Sequence, residues 1–147
     1  FQNNVSYYLK AKDVLTQKQC ISAVGNLSNF NFQIPNDLFG QVENQLLNLD
    51  LGLNRDQVKK ILKNRAKMAK KEIDLDLKRR LTLIDLQTEM VKMPCDNEIV
   101  NKTVLKITKL GSKQMTNRMV HSIKAKDMLS KDQKDKLFQA MLMMTLQ

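Results

Sequence analysis

One five-residue phrase occurs three times in this chain and constrains its fold more than any other feature. Leu15-Thr16-Gln17-Lys18-Gln19, Leu53-Asn54-Arg55-Asp56-Gln57 and Leu129-Ser130-Lys131-Asp132-Gln133 share Leu, a small polar residue, two further polar residues and Gln. The phrase spells a helix start. The Thr16, Asn54 or Ser130 side chain accepts a bond from a free N–H of the first turn, and the Gln three positions on reaches back to the cap, completing a capping box. The preceding Leu staples onto the first turn.

Two copies sit in a wider match. Residues 9–16 (LKAKDVLT) align with residues 123–130 (IKAKDMLS), which argues for an internal repeat. On this reading residues 1–34 are the helical tail of a preceding repeat unit plus a linker, and residues 35–147 are a complete unit. The chain is then expected to begin in mid-domain, within a longer gene product.

Composition sets the class. Of 147 residues, 42% are apolar, enough for a core; there is no Trp, and only four Gly and two Pro. That mixture favours helix. No apolar run approaches the ~20 residues needed to cross a bilayer. No signal peptide is visible, which says nothing about secretion if the chain begins in mid-unit.

In the complete unit four helices are expected. Ile34-Pro35-Asn36-Asp37 is a break and helix start, leading to a short helix from about Leu38 to Leu49. A long helix starts at the Asn54 cap. Val58, Ile61, Leu62, Ala66, Ala69, Ile73, Leu77, Leu81, Ile84 and Val91 sustain a stripe of helical period until Pro94 stops it. Asp96-Asn97 caps a third helix, with Val100, Val104, Ile107, Gly111, Met115, Met119, Ser122, Ala125 and Leu129 as its stripe. Ser130 caps a fourth, carrying Leu137, Phe138, Met141, Leu142 and Leu146. The connection at 93–96 is too short for anything but a reversal. The fold class is therefore all-α: a long antiparallel helical hairpin with short flanking helices and Pro94 near its tip. So thin a hairpin has little interior. It is expected to dimerise or to curve into a cradle closed by the short helices.

Much of the net charge of +10 sits in residues 59–80. Lys59, Lys63, Lys67, Lys70 and Lys78 recur at helical spacings and share one side. They read either as a solvated face or as a basic binding face for acidic segments or an anionic membrane surface. There is no zinc-finger spacing, no RNP-like aromatic string and few aromatics to stack on bases, so nucleic acid is not the expected partner. Cys20 and Cys95 form no C-x-x-C; in an oxidising compartment they could pair, but Cys20 lies in the truncated unit and Cys95 in the complete one, so the sequence does not assign their partners. No catalytic residues emerge. The single His has no nucleophile arranged around it, no phosphate-cradling Gly loop exists, and Asp74, Asp76 and Asp85 read as partners of neighbouring Lys and Arg.

The order of these elements resembles a known superfamily. A short helix, an L-polar-x-x-Q start at Leu53–Gln57, a long hairpin, and a second such start at Leu129–Gln133 are similar to the periplasmic LTxxQ-motif proteins. The resemblance covers about residues 38–147, and Leu15–Gln19 looks like the second motif of an earlier copy. It implies a periplasmic location and two branches. The Spy/CpxP-like stress-response branch is chaperone-like and holds unfolded protein clients or a membrane-associated stress sensor on a basic, partly apolar face. The ZraP/CnrX-like branch responds to heavy metals and binds them with His, Glu and Met side chains. His121 falls about where that branch places a ligand, but the next ligand position is Ala125, and the first helix offers Glu43 and no His. With Met115 and Met119 nearby, His121 reads either as a ligand of a soft ion such as Cu(I) or as a surface or packing histidine.

The expectation is a non-enzymatic envelope binding module, without cofactor, for polypeptide clients or a sensor partner. Its alternatives are a metal-responsive protein with a reduced site around His121, or a structural subunit of a larger assembly.

Overall fold

The computed structural model describes residues 1–26 and 46–147. Helix α1 spans Gln2–Ala11, α2 Gln17–Asn26, α3 Arg55–Met90, α4 Asn97–Asp127 and α5 Lys131–Thr145; a 3₁₀ turn, Lys12–Val14, links the first two. Among the described residues there is no strand. The fold is all-α, with the two long helices α3 and α4 in close contact as a helical hairpin and short helices flanking them. The expected break at Ile34–Asp37, Glu43 and most of the expected short helix lie outside the described residues.

The chain divides into two compact units. The first combines α1 and α2 with Leu75–Ser112, the part of the hairpin that holds its turn. Val5, Tyr8, Cys20 and Val24 pack with Leu86, Met90, Val100, Val104 and Ile107 in one buried cluster. Tyr8 takes its hydroxyl into that cluster and satisfies it by donating to the Met90 carbonyl at 2.9 Å. The Gln87 amide donates to the Val24 carbonyl at 3.2 Å, tying the end of α2 to the hairpin.

Helix α3 ends at Met90, four residues before the proline expected to stop it. The reason is Glu89. Its carboxylate accepts from Lys92 Nζ at 2.7 Å and from the Asp96 backbone N–H at 3.0 Å, closing the turn across Pro94. Those two bonds, the lysine's first, hold the Glu89 carboxyl below its ordinary range. Asp96 then caps α4, its Oδ1 accepting from the N–H groups of Glu98 and Ile99 at 2.8 and 3.3 Å.

The second unit runs to Asp74 and resumes at Lys113–Gln147. Leu46, Leu51 and Ile61 pack with Ala125, Leu129 and Leu137, with Leu53, Met128 and Met141 at the edge. Before the α3 cap the chain turns at Gly52, whose φ of 67° lies in the left-handed region that a Cβ disfavours.

The buried face of α3 is not the stripe its periodicity suggests. Leu62, Ile73, Leu77, Leu81, Ile84 and Val91 are exposed, as are Ala66 and Ala69. Of the expected stripe Ile61 alone is buried; the other buried positions are Asn64, Leu75, Thr82, Leu86, Glu89 and Met90. On α4, Leu110, Gln114 and Asn117 are buried where Met115 was expected. Both helices thus turn a partly polar side inward. Polar groups there answer one another, whereas the apolar stripe of α3 would have left Gln114 and Asn117 without hydrogen-bond partners. On α5 only Leu137 is buried, while Phe138, Leu142 and Leu146 are exposed.

Candidate functional site

The site is built up from the helix starts. At all three phrases the cap residue accepts from the backbone of the glutamine: Thr16 Oγ1 from Gln19 N–H at 3.3 Å, Asn54 Oδ1 from Gln57 N–H at 2.8 Å, Ser130 Oγ from Gln133 N–H at 3.3 Å. In return each glutamine Oε1 accepts from the cap's own N–H, at 2.9, 3.0 and 2.9 Å. The two aligned segments also finish their preceding helices alike. Leu15 N–H bonds the Lys12 carbonyl and Leu129 N–H the Lys126 carbonyl, tightened turns at matching positions.

In the second unit two of the boxes are joined. Gln57 Nε2 donates to the Met128 carbonyl at 3.0 Å and to Gln133 Oε1 at 2.8 Å. Gln133 Nε2 donates to the Gly52 carbonyl at 3.1 Å and to Gln57 Oε1 at 3.2 Å. The starts of α3 and α5 are clasped together, and α3 is fixed in rotation about its axis.

Next along α3 comes a polar seam against α4. Asn64 Nδ2 donates to the His121 carbonyl at 2.8 Å, and its Oδ1 lies 2.8 Å from His121 Nδ1. An amide oxygen can only accept, so Nδ1 carries the proton and Nε2 is the acceptor nitrogen. Glu72 then accepts from Arg118 Nη2 and Nε at 2.6 and 3.0 Å, from Gln114 Nε2 at 3.2 Å and from Asn117 Nδ2 at 3.3 Å. Gln114 Oε1 and Asn117 Oδ1 are buried and accept no hydrogen bond.

The seam holds the opposite side of α3 outward. Lys59, Lys63, Lys67 and Lys70 are exposed there, and none makes an ion pair with a described residue. Leu62, Ala66 and Ala69 each precede one of these lysines by a single position, and Ile73 extends their row. One position is about 100° of helix, so a lysine row runs alongside an apolar row. Leu62 is 47% exposed and Ile73 69%. Lys78 is also exposed but belongs to the first unit, next to Leu77. Asp76, in that unit too, pairs with Arg80 at 2.7 Å and Arg79 at 3.1 Å. Burial alone would raise its carboxyl; the hydrogen bonds from Arg80 and Arg79 outweigh that and leave it lowered.

His121 faces cations. Burial first, then the charges of Lys124, Lys71 and Lys67, hold it below the ordinary imidazole value. Among the described residues no group of three or more His, Cys, Asp or Glu side chains is arranged to hold a metal ion. The neutral Nε2 is a competent donor atom, but the charged groups acting on it are the ammonium groups of Lys124, Lys71 and Lys67.

Sequence reasoning missed the seam of Asn64, Glu72, Asn117 and Arg118. A signal was present: Gln114 and Asn117 continue the inward spacing of Ile107 and Leu110, so polar residues occupy core register. No helix among the described residues is long and apolar enough to cross a membrane. Comparison with known proteins finds no matching family, no matching curated protein and no matching solved structure.

Proposed function

We propose that this chain is a non-enzymatic binding module that holds extended, acidic and partly apolar polypeptide segments, as a chaperone-like protein of the bacterial envelope or as the ligand of a stress sensor. The observation that carries this reading is the double row on α3: exposed Leu62, Ala66, Ala69 and Ile73 beside Lys59, Lys63, Lys67 and Lys70, none ion-paired with a described residue. Apolar side chains kept in water at helical spacing are an available contact surface. Lysines without carboxylate partners attract acidic segments and speed encounter. The envelope location follows from the resemblance of Leu53–Gln57 and Leu129–Gln133 to the LTxxQ motifs.

The metal-responsive alternative draws on His121. Lys67, Lys71 and Lys124 around the ring weigh against it, since each repels a cation. Calorimetric titration with Zn(II), Ni(II), Cu(II) and Cu(I) separates the two. Micromolar binding abolished by His121→Ala favours the metal reading.

The binding reading is tested with a chemically unfolded acidic polypeptide as probe. The wild type is expected to slow its aggregation. Association should fall as salt rises from about 0.1 to 1 M, because the screening length shrinks from roughly 10 to 3 Å. The triple variant Lys63→Glu, Lys67→Glu, Lys70→Glu is expected to keep full helicity, associate more slowly and lose the salt response. Unchanged binding and salt response in that variant reduce the row to a solvated face.

A further inference from the structure

The first unit holds a cleft of about 280 Å³ that the proposed binding face does not use. Its walls include both cysteines of the chain, with Tyr8, Lys12, Asp13 and Met90. Neither cysteine is in a disulfide. Cys20, on α2, is 2% exposed, and its thiol points toward the Lys12 carbonyl at 3.8 Å. Cys95 is partly exposed and sits in the hairpin turn, one residue before the Asp96 cap of α4. Lys12 Nζ donates to Cys95 Sγ at 3.1 Å and is itself held by Asn97 Oδ1 at 2.7 Å. Tyr8 lines the same cleft as both cysteines. Burial first, then a hydrogen bond with Cys20 and the charges of Cys20 and Cys95, pushes its phenol up to about 12, so it stays neutral.

Packing accounts for Cys20, which fills a core position as a small apolar side chain does. Packing does not account for Cys95. A part-exposed sulfur beside a fixed ammonium, on the wall of a cleft, is the environment in which thiols react.

The geometry points to Cys95 as a modification site, a nucleophilic thiol that takes small organic disulfides, with Cys20 as the thiol that resolves the adduct. Cys95 gives its proton to water and its sulfur attacks one sulfur of the reagent. The reagent S–S bond breaks, and its other half leaves as a thiolate that water protonates. Cys20 then attacks the Cys95 sulfur, forming a Cys20–Cys95 bond and releasing the second half as a thiol. The protein dithiol is oxidised by two electrons, and one disulfide reagent is reduced to two thiols. Lys12 is a positioning residue whose charge balances the developing sulfur anions. Lys92 on the same wall is paired with Glu89 at 2.7 Å, and Asp13 opposes Lys12. The competing occupant of two sulfurs is a soft cation, which the Lys12 ammonium repels.

The test treats the full chain with oxidised glutathione and maps the products by mass spectrometry after acid quenching. In the wild type a mixed disulfide on Cys95 should appear first and convert to the Cys20–Cys95 crosslink. In Cys20→Ser the Cys95 adduct should accumulate; should that variant unfold, the order of species in the wild type carries the same information. Native Cys95 should react faster than in the urea-unfolded chain. Lys12→Met should slow it by about tenfold, while Lys12→Arg restores it and shifts the pH profile of the rate little. A native rate no higher than the unfolded one, or a Lys12→Met rate unchanged, overturns the nucleophile. An adduct that accumulates on wild-type Cys95 with no crosslink overturns the resolving role of Cys20. Glutathione-resistant thiols that instead take up Cu(I) in a titration, lost in both Cys20→Ser and Cys95→Ser, make the cleft a metal site and overturn the proposal.

Discussion

Gln57 and Gln133 close separate capping boxes, yet each amide nitrogen donates to the other's oxygen, at 2.8 and 3.2 Å. Each Oε1 also accepts from its own cap's N–H, and each Nε2 also donates to a backbone carbonyl, of Met128 or Gly52. All the donors and acceptors of both amides are used. That explains glutamine where an ordinary capping box accepts Glu equally well.

The clasp predicts an asymmetry among the three boxes. Gln57→Glu and Gln133→Glu remove the donating nitrogen and set a carboxylate against a carbonyl, and each should cost about 1–3 kcal/mol. Gln19→Glu keeps the oxygen that its cap uses and should change stability by less than about 0.5 kcal/mol. Denaturant midpoints of the three variants check this. The Gln57→Ala/Gln133→Ala double-mutant cycle should show a coupling of at least about 0.5 kcal/mol.

His121 predicts a pH dependence. Its folded pKa lies below the unfolded value of 6.5, so the unfolded chain takes up the proton first. The contribution is fully present above pH 6.5 and is lost as pH falls from there through the lower folded value. Urea midpoints should therefore drop on going from pH 7.5 to 5. In His121→Gln that part of the slope should vanish, leaving the acid loss from Asp76 and Glu89, whose lowered carboxyls act at more acidic pH.

The seam should be costly to break from one side. Glu72→Gln leaves Arg118, at 29% side-chain exposure, without its carboxylate. A loss of about 1–3 kcal/mol is expected, the magnitude for a hydrogen bond to a charged group. Pairing it with Arg118→Met should recover part of the loss. A smaller loss in the double variant than in Glu72→Gln alone, read in thermal melts, would confirm the coupling; strictly additive losses would refute it.

The inverted face of α3 is checked by two residues two positions apart. Leu86 is 0% exposed and Ile84 is 56% exposed. Leu86→Ala should cost about 2–5 kcal/mol and Ile84→Ser less than about 0.5. The reverse ranking would restore the stripe read from periodicity.

The helix starts were legible because capping is local: cap and glutamine are three residues apart, and no distant partner is needed to form the box. The hairpin was legible for a similar reason, since two long periodic segments around a short Pro-containing reversal leave little other arrangement. The inward face of α3 was not. Its periodic stripe holds Ile61 and Leu62 alike, and of these Ile61 is buried, joined by Leu75, Leu86 and Met90 from outside the stripe. The choice depends on what α4 offers in return: Gln114 and Asn117 for Glu72 and the Met68 carbonyl, and His121 for Asn64.

By itself, then, the sequence determined helix content, the three capped starts, a reversal around Pro94 and a row of lysines on one side of α3, each a matter of neighbours within a few residues. Only the tertiary structure decided that Gln57 meets Gln133, that His121 is bound by Asn64 among lysines, and that Cys20 and Cys95 line one cleft beside Lys12. Those relationships join residues from different helices. They are settled by which faces can satisfy each other's buried polar groups, a condition no single segment contains.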